Sequence, residues 1–107
     1  MSIVEVSVEE LEAALANGAR LIDVRETDEY ELGHVAAAVH IALGTVPDNV
    51  PAFDGDAPTF VICKSGGRSM RACQFLAEQG IDAINVAGGT VEWIVSGRPV
   101  VAGSQPL

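Results

Sequence analysis

The sequence predicts an α/β domain, with a mainly parallel sheet of about five strands and helices on both of its faces. Three observations carry that prediction. Short apolar runs that suit strands alternate almost throughout with segments of helical periodicity, and such alternation builds parallel strand–helix–strand units. Glycines at 18, 33 and 80 follow the first three helical segments, where a helix is expected to stop. The 107 residues, 49% of them hydrophobic, suffice for one core and not for two, so residues 1–107 are read as a single domain.

Ile3-Val4-Glu5-Val6 alternates as a short strand, and Ser7 with Glu10 reads as a capping box that opens a helix running to Asn17. Arg20 to Val24 forms a second strand. Thr27 is then expected to cap an acid-rich short helix that ends near Gly33. A third strand is expected around Val39-His40-Ile41. Leu43 to Pro58 holds Pro47, Pro51 and Pro58 and is read as a loop with one helical turn. Thr59 to Ile62 is the fourth strand, and the helix after it carries Met70, Cys73, Leu76 and Ala77 on one face. Ala83 to Val86 is the fifth, Gly88-Gly89 turns the chain, and Thr90 to Ser96 is a last helix with Trp93 packed inward. Ala102 to Leu107 is expected to be a mobile tail.

Fifteen acids against six bases give a formal charge of −9, which argues against nucleic acid and anionic membranes as partners. The distribution is more informative. Residues 1–60 hold twelve of the acids and two of the bases, whereas Lys64, Arg68 and Arg71 crowd together just after Cys63. No basic, apolar leader opens the sequence, and acids or glycines interrupt every apolar run, so a soluble, cytoplasmic protein is expected. Cys63 and Cys73 are the only cysteines, and their spacing suits neither a disulfide framework nor zinc. No metal and no cofactor is implied, because no paired spacing of His, Cys or carboxylates completes a site.

The candidate site is Cys63-Lys64-Ser65-Gly66-Gly67-Arg68-Ser69, where an apolar strand stops and a helix begins. Two glycines let backbone N–H groups turn inward, and two cations and a helix N-terminus favour negative charge, so Cys63 is read as an exposed, activated thiolate nucleophile. Three chemistries suit such a cysteine. A Cys/His pair needs His34 or His40 to reach it, and neither has a suggestive context. A cysteine phosphatase usually places five residues between the Cys and its Arg, whereas four intervene here. The smaller cradle is better matched to a single sulfur atom than to a phosphoryl group.

Those residues, with Leu21-Ile22-Asp23-Val24-Arg25, Glu29-Tyr30, Gly33-His34-Val35, Gly88-Gly89, Trp93 and Gly97-Arg98-Pro99-Val100, give the chain its resemblance to single-domain rhodaneses, the rhodanese-like sulfurtransferases. The likeness covers nearly the whole chain. Ala36-Ala37 and Ala42 depart from the Pro-Gly and Pro that the family often has. The resemblance implies a rhodanese-like three-layer fold and a thiosulfate or persulfide sulfurtransferase that works through a Cys63 persulfide. The donor would be thiosulfate, a small sulfur-containing anion, or another persulfide, and the acceptor cyanide, a biological thiol or a protein. The loop of Lys64, Ser65, Gly66, Gly67 and Arg68 would cradle the persulfide, with Asp23, Arg25 and Ser69 in support. Arg68 is open to two roles, contact with substrate or bracing of the loop. Asp23 would brace the loops, and Arg25 would pair with acids such as Glu29. His34 would brace the fold, and Cys73 is either a small buried hydrophobe or a resolving thiol. The alternative from another class is a rhodanese-like binding or sulfur-relay module that docks on protein partners without turnover.

Overall fold

The computed structural model describes residues 2–107. Strands β1 (Glu5–Val6), β2 (Leu21–Asp23), β3 (Val39–His40), β4 (Thr59–Ile62) and β5 (Ala83–Val86) form one sheet in the order β1-β5-β4-β2-β3. Every pairing is parallel. Around the sheet lie α1 (Val8–Ala16), α2 (Thr27–Leu32), α3 (Gly67–Glu78) and α4 (Gly89–Val95).

Alternation along the strands sorts the core into two halves. Ile22, Val61 and Cys63 point to one face and meet Ala72, Cys73 and Leu76 of α3 together with Val46 and Phe53. Leu21, Ile62 and Val86 point to the other and meet Val8 and Leu11 of α1, Tyr30 of α2 and Trp93 of α4. Three layers result, as expected for a parallel sheet buried on both faces. From β2 the chain moves outward to β3, whereas from β4 it moves the opposite way to β5. Right-handed crossovers therefore put α2 and α3 on opposite faces and leave a crevice between the carboxyl ends of β2 and β4. Cys63 follows one of those ends, and Val24 and Arg25 follow the other.

Local chemistry explains the element ends. Ser7 caps α1 in a reciprocal box, its Oγ accepting from Glu10 N at 3.1 Å and its N–H donating to Glu10 Oε1 at 3.0 Å. The helix ends at Ala16, with Asn17 as its C-cap. For α2 the cap is Glu26 and not Thr27, because the Glu29 carboxylate reaches back to Glu26 N at 3.0 Å. The proline-rich stretch after β3 forms two 3-10 helices, Leu43–Asp48 and Val50–Phe53, where one helical turn was expected. Their short-range bonds tolerate Pro47 and Pro51 while Val46 and Phe53 reach the core. The last helix begins one residue before Thr90, with Gly88 as its left-handed N-cap.

The closing segment, expected to be a mobile tail, is tied to the domain. His34 Nε2 lies 2.8 Å from Gln105 O, Gly103 N donates to Glu31 O at 2.8 Å, and Ala37 N donates to Pro106 O. Val101 and His34 form an antiparallel bridge. His34 is fully buried, stacks on Tyr30 with ring centroids 3.7 Å apart, and sets Nδ1 2.8 Å from Tyr30 O, so whichever ring nitrogen carries the proton donates to a backbone carbonyl. Its role in this structure is to clasp α2 to the C-terminal segment. Ala37 adopts φ 75°, the left-handed region that favours glycine. Ala37→Gly is expected to stabilise the protein by about 0.5 kcal/mol, the relief of strain exceeding the added chain entropy. Chemical denaturation of the two proteins checks it.

Candidate active site

Cys63 emerges from β4 with its carbonyl held twice: Thr90 N and Thr90 Oγ1 both donate to Cys63 O at 2.9 Å. Val91 N donates to Lys64 O at 3.0 Å, so the first turn of α4 is riveted to the start of the loop. That approach requires Gly89, since a Cβ there would lie 2.6 Å from Lys64 O and 2.7 Å from Cys63 O. The loop then folds back over the sulfur. Gly66, at φ 108°, turns its N–H onto Cys63 Sγ at 3.1 Å, and Ser69 Oγ donates to the same sulfur at 3.3 Å.

The thiol is therefore buried, with Cys63 only 1% exposed, and not the exposed group that the loop's composition suggested. Closure of the loop is the physical reason: donors that stabilise a thiolate must surround it. Burial pushes the Cys63 thiol up, but the Ser69 hydroxyl and the amides of Ser69, Gly66 and Ser65 together outweigh it, leaving its pKa below the ordinary value. The direction agrees with the sequence expectation, and the hydrogen bonds contribute ahead of the loop cations, of which Arg68 interacts electrostatically with the sulfur. Ser69 Oγ also lies 3.3 Å from Gly66 O and has one proton to give. That proton serves Sγ when Cys63 is ionised and Gly66 O when it is not. Ser69→Ala is expected to raise the thiol's pKa and slow its alkylation at neutral pH by about tenfold, given the strength of hydrogen bonds to charged groups. A pH profile of iodoacetamide labelling checks it.

Arg68 and Arg25 find partners other than those expected. The Arg68 guanidinium makes a two-pronged ion pair with Glu29, at 2.7 and 2.9 Å, across 39 residues of sequence. In this structure Arg68 braces the loop against α2. Arg25 pairs instead with Asp23, through Nε to Oδ1 at 3.0 Å and Nη2 to Oδ2 at 2.8 Å, and also donates to Gly33 O at 2.8 Å. Asp23 and Arg25 are both buried, so each neutralises the other where an unpaired charge would be costly. The Arg68 hydrogen bonds hold the Glu29 carboxyl down to about 2 from an ordinary 4.5. A depressed carboxylate stabilises the fold fully above its unfolded value and loses that stabilisation as pH falls towards its folded one. Glu29→Gln is expected to cost about 1 kcal/mol at neutral pH, modest because the pair is partly solvated. The difference between the two proteins should vanish between about pH 4.5 and pH 2 in acid titrations followed by circular dichroism.

Lys64 and Ser65 are exposed at the rim, Gly67 opens α3, and none of them donates a side-chain hydrogen bond to the sulfur. His40 bonds to Arg25 O and stacks on Tyr30, so both histidines are engaged away from the sulfur. Cys73 is fully buried in the same core cluster, and burial, with the nearby Glu5 and Cys63, pushes its thiol up to about 12. Full burial and a raised pKa fit the small buried hydrophobe better than the resolving thiol. Asn85 was missed by the sequence reading. Its Nδ2 donates to Gly66 O at 3.2 Å and to Glu5 Oε2 at 2.8 Å, linking β1 and β5 to the loop that holds the sulfur. A polar residue in an apolar strand was the available signal.

An open cleft of about 340 Å³ lies beside the loop, lined by Lys64 and Thr90 together with Arg25, Glu29 and several apolar side chains. No cluster of three metal-ligating side chains and no helix long and apolar enough to cross a membrane occurs among the described residues.

Comparison with known proteins gives this arrangement a lineage. Residues 7–96 match the model of the rhodanese-like domain. The chain is 43% identical over 79 residues to YtwF of Bacillus subtilis, covering 74% of this chain and 77% of that one. It is 37% identical over 78 residues to the thiosulfate sulfurtransferase GlpE of Pseudomonas paraeruginosa, covering 72% and 71%. Among solved structures, the human single-domain sulfurtransferase TSTD1 superposes with a TM-score of 0.79 at 29% identity, covering 88% of this chain and 97% of that one. The strand order, the loop after β4 and these likenesses agree, and the chain belongs to the rhodanese-like domain family.

Proposed function

We propose that this protein is a sulfurtransferase that carries sulfane sulfur on Cys63. The observation that carries the reading is the pair of donors aimed at a single sulfur, Gly66 N at 3.1 Å and Ser69 Oγ at 3.3 Å, with no histidine base in contact. Such a site stabilises a thiolate in advance and needs no proton acceptor during attack. The Cys63 thiolate attacks the outer sulfur of thiosulfate, the S–S bond of the donor breaks, and sulfite leaves with the electron pair. The enzyme is left as a Cys63 persulfide, whose terminal sulfur inherits the amide and hydroxyl donors. A thiophilic acceptor, cyanide in an assay or a thiol in the cell, then attacks that sulfur and restores the thiolate. A persulfide donor reacts in the same way, with a thiolate as leaving group.

Lys64 at the rim attracts the anionic donor as a mobile point charge, and Arg68, tied to Glu29, keeps the loop in shape. The names of GlpE and TSTD1 support the same reaction class. Two free cysteines suit a reducing compartment, and we place the protein in the cytoplasm. Steady-state kinetics with thiosulfate and cyanide test the reading. Double displacement predicts parallel reciprocal plots, and intersecting lines would overturn it because both substrates would then bind before sulfur moves.

A further inference from the structure

Asn85 lies fully buried in β5 and carries a cost that an apolar strand residue would not. Its Nδ2 donates to Glu5 Oε2 at 2.8 Å and to Gly66 O at 3.2 Å. Only the NH2 side of an amide can serve two acceptors, so its orientation is fixed, and Oδ1 is left buried with no hydrogen-bond partner among the described residues. An unpaired buried carbonyl is unfavourable. What the side chain supplies in return is two donated protons, one of which ends on the loop that holds Cys63.

That proton reaches a crowded oxygen. Gly66 O also accepts from Met70 N at 3.1 Å, the first bond of α3, and lies 3.3 Å from Ser69 Oγ. A carbonyl offers two lone pairs, and Met70 N and Asn85 Nδ2 occupy both. Ser69 has one hydroxyl proton, and Cys63 Sγ lies at the same 3.3 Å from its Oγ. We propose that Asn85 is a positioning residue for Cys63: by filling Gly66 O, it commits the Ser69 proton to the sulfur. Without the amide, one lone pair of Gly66 O opens and competes with the thiolate for that proton. Glu5, reaching from β1, holds the amide in place by accepting its other proton. The assignment deepens the sulfurtransferase reading, on which its catalytic meaning rests, although thiol ionisation itself involves no sulfur donor.

The test is a double-substitution cycle over Asn85→Leu and Ser69→Ala, read as the pH profile of Cys63 alkylation by iodoacetamide, with folding checked by circular dichroism. With Ser69 present, Asn85→Leu is expected to move the midpoint upward and to slow alkylation on the acid limb by about fivefold, less than loss of the hydroxyl because the proton is diverted and not removed. In the Ser69→Ala background the same substitution should change the rate by less than about twofold, since no proton is left to divert. Arg68 and Cys73, which interact electrostatically with the sulfur, are common to all four proteins and cancel from the comparison. An unmoved midpoint overturns the assignment. So does an equal shift in both backgrounds, which would make Asn85 a brace of loop shape alone. If Asn85→Leu does not fold, nuclear magnetic resonance of the Asn85 side-chain amide replaces it. Those protons should titrate with the Cys63 midpoint as Ser69 leaves Gly66 O, and Ser69→Ala should shrink the response; an undiminished response overturns the assignment. Failure of thiosulfate to load Cys63 overturns the sulfurtransferase reading and leaves this one standing.

Discussion

Cys63→Ser is expected to lower sulfur transfer by at least about 1000-fold, the scale seen when a nucleophile is removed from a covalent mechanism. The fold should survive, because the hydroxyl remains within reach of Gly66 N and Ser69 Oγ, the donors that satisfy the sulfur. Equal circular dichroism spectra and melting temperatures would separate lost chemistry from lost structure. Cys73→Ala provides the contrast. Cys73 is fully buried and its thiol is pushed up to about 12, so its removal opens a small space in the core without touching the chemistry. Transfer should persist in that variant at close to the wild-type rate. Comparable loss in both variants, with both folded, would contradict a single nucleophile.

The second large effect concerns stability. Gly89→Ala is expected to destabilise the protein by about 2–4 kcal/mol, from a left-handed residue and a clash with two backbone carbonyls, offset slightly by a stiffer unfolded chain. At φ 58° the added Cβ would sit 2.6 Å from Lys64 O, and backbone cannot step aside as a flexible side chain can. For a domain of this size that energy is a fall in melting temperature of roughly 10–25 °C. Gly67→Ala, in the same loop, should have the opposite sign. A Cβ there meets nothing within 4 Å, and the position opens α3, so a gain of about 0.5 kcal/mol is expected. Thermal melts of the two variants test whether the docking of α4 on the loop is as close as the structure has it.

The alternation of strands and helices was legible in the sequence because it rests on local chemistry. The capping box at Ser7, the apolar run into Cys63 and the bounds of β4 and β5 all follow from neighbouring residues. The strand end, loop and helix start around Cys63 were equally legible, since they are contiguous in sequence. Pairings across the sheet were less so. Residues 23–31 hold five acids, Asp23 among them, and only the folded arrangement shows that Arg25 takes Asp23 while Glu29 takes Arg68, 39 residues away. The Glu5–Asn85–Gly66 relay joins residues 80 and 19 apart and depends on β5 lying between β1 and β4. Burial of Cys63 was missed for a related reason. A loop that donates hydrogen bonds to a thiolate must also enclose it, and composition alone does not measure enclosure.

The central claim is that Cys63 itself accepts and releases one sulfur atom. Intact and peptide mass spectrometry of the reduced protein, before and after thiosulfate and again after cyanide, tests it most directly. The account predicts a gain of one sulfur confined to Cys63, removed by cyanide with release of thiocyanate. No gain at Cys63, from thiosulfate or from a persulfide donor, would contradict it and leave the domain a binding module.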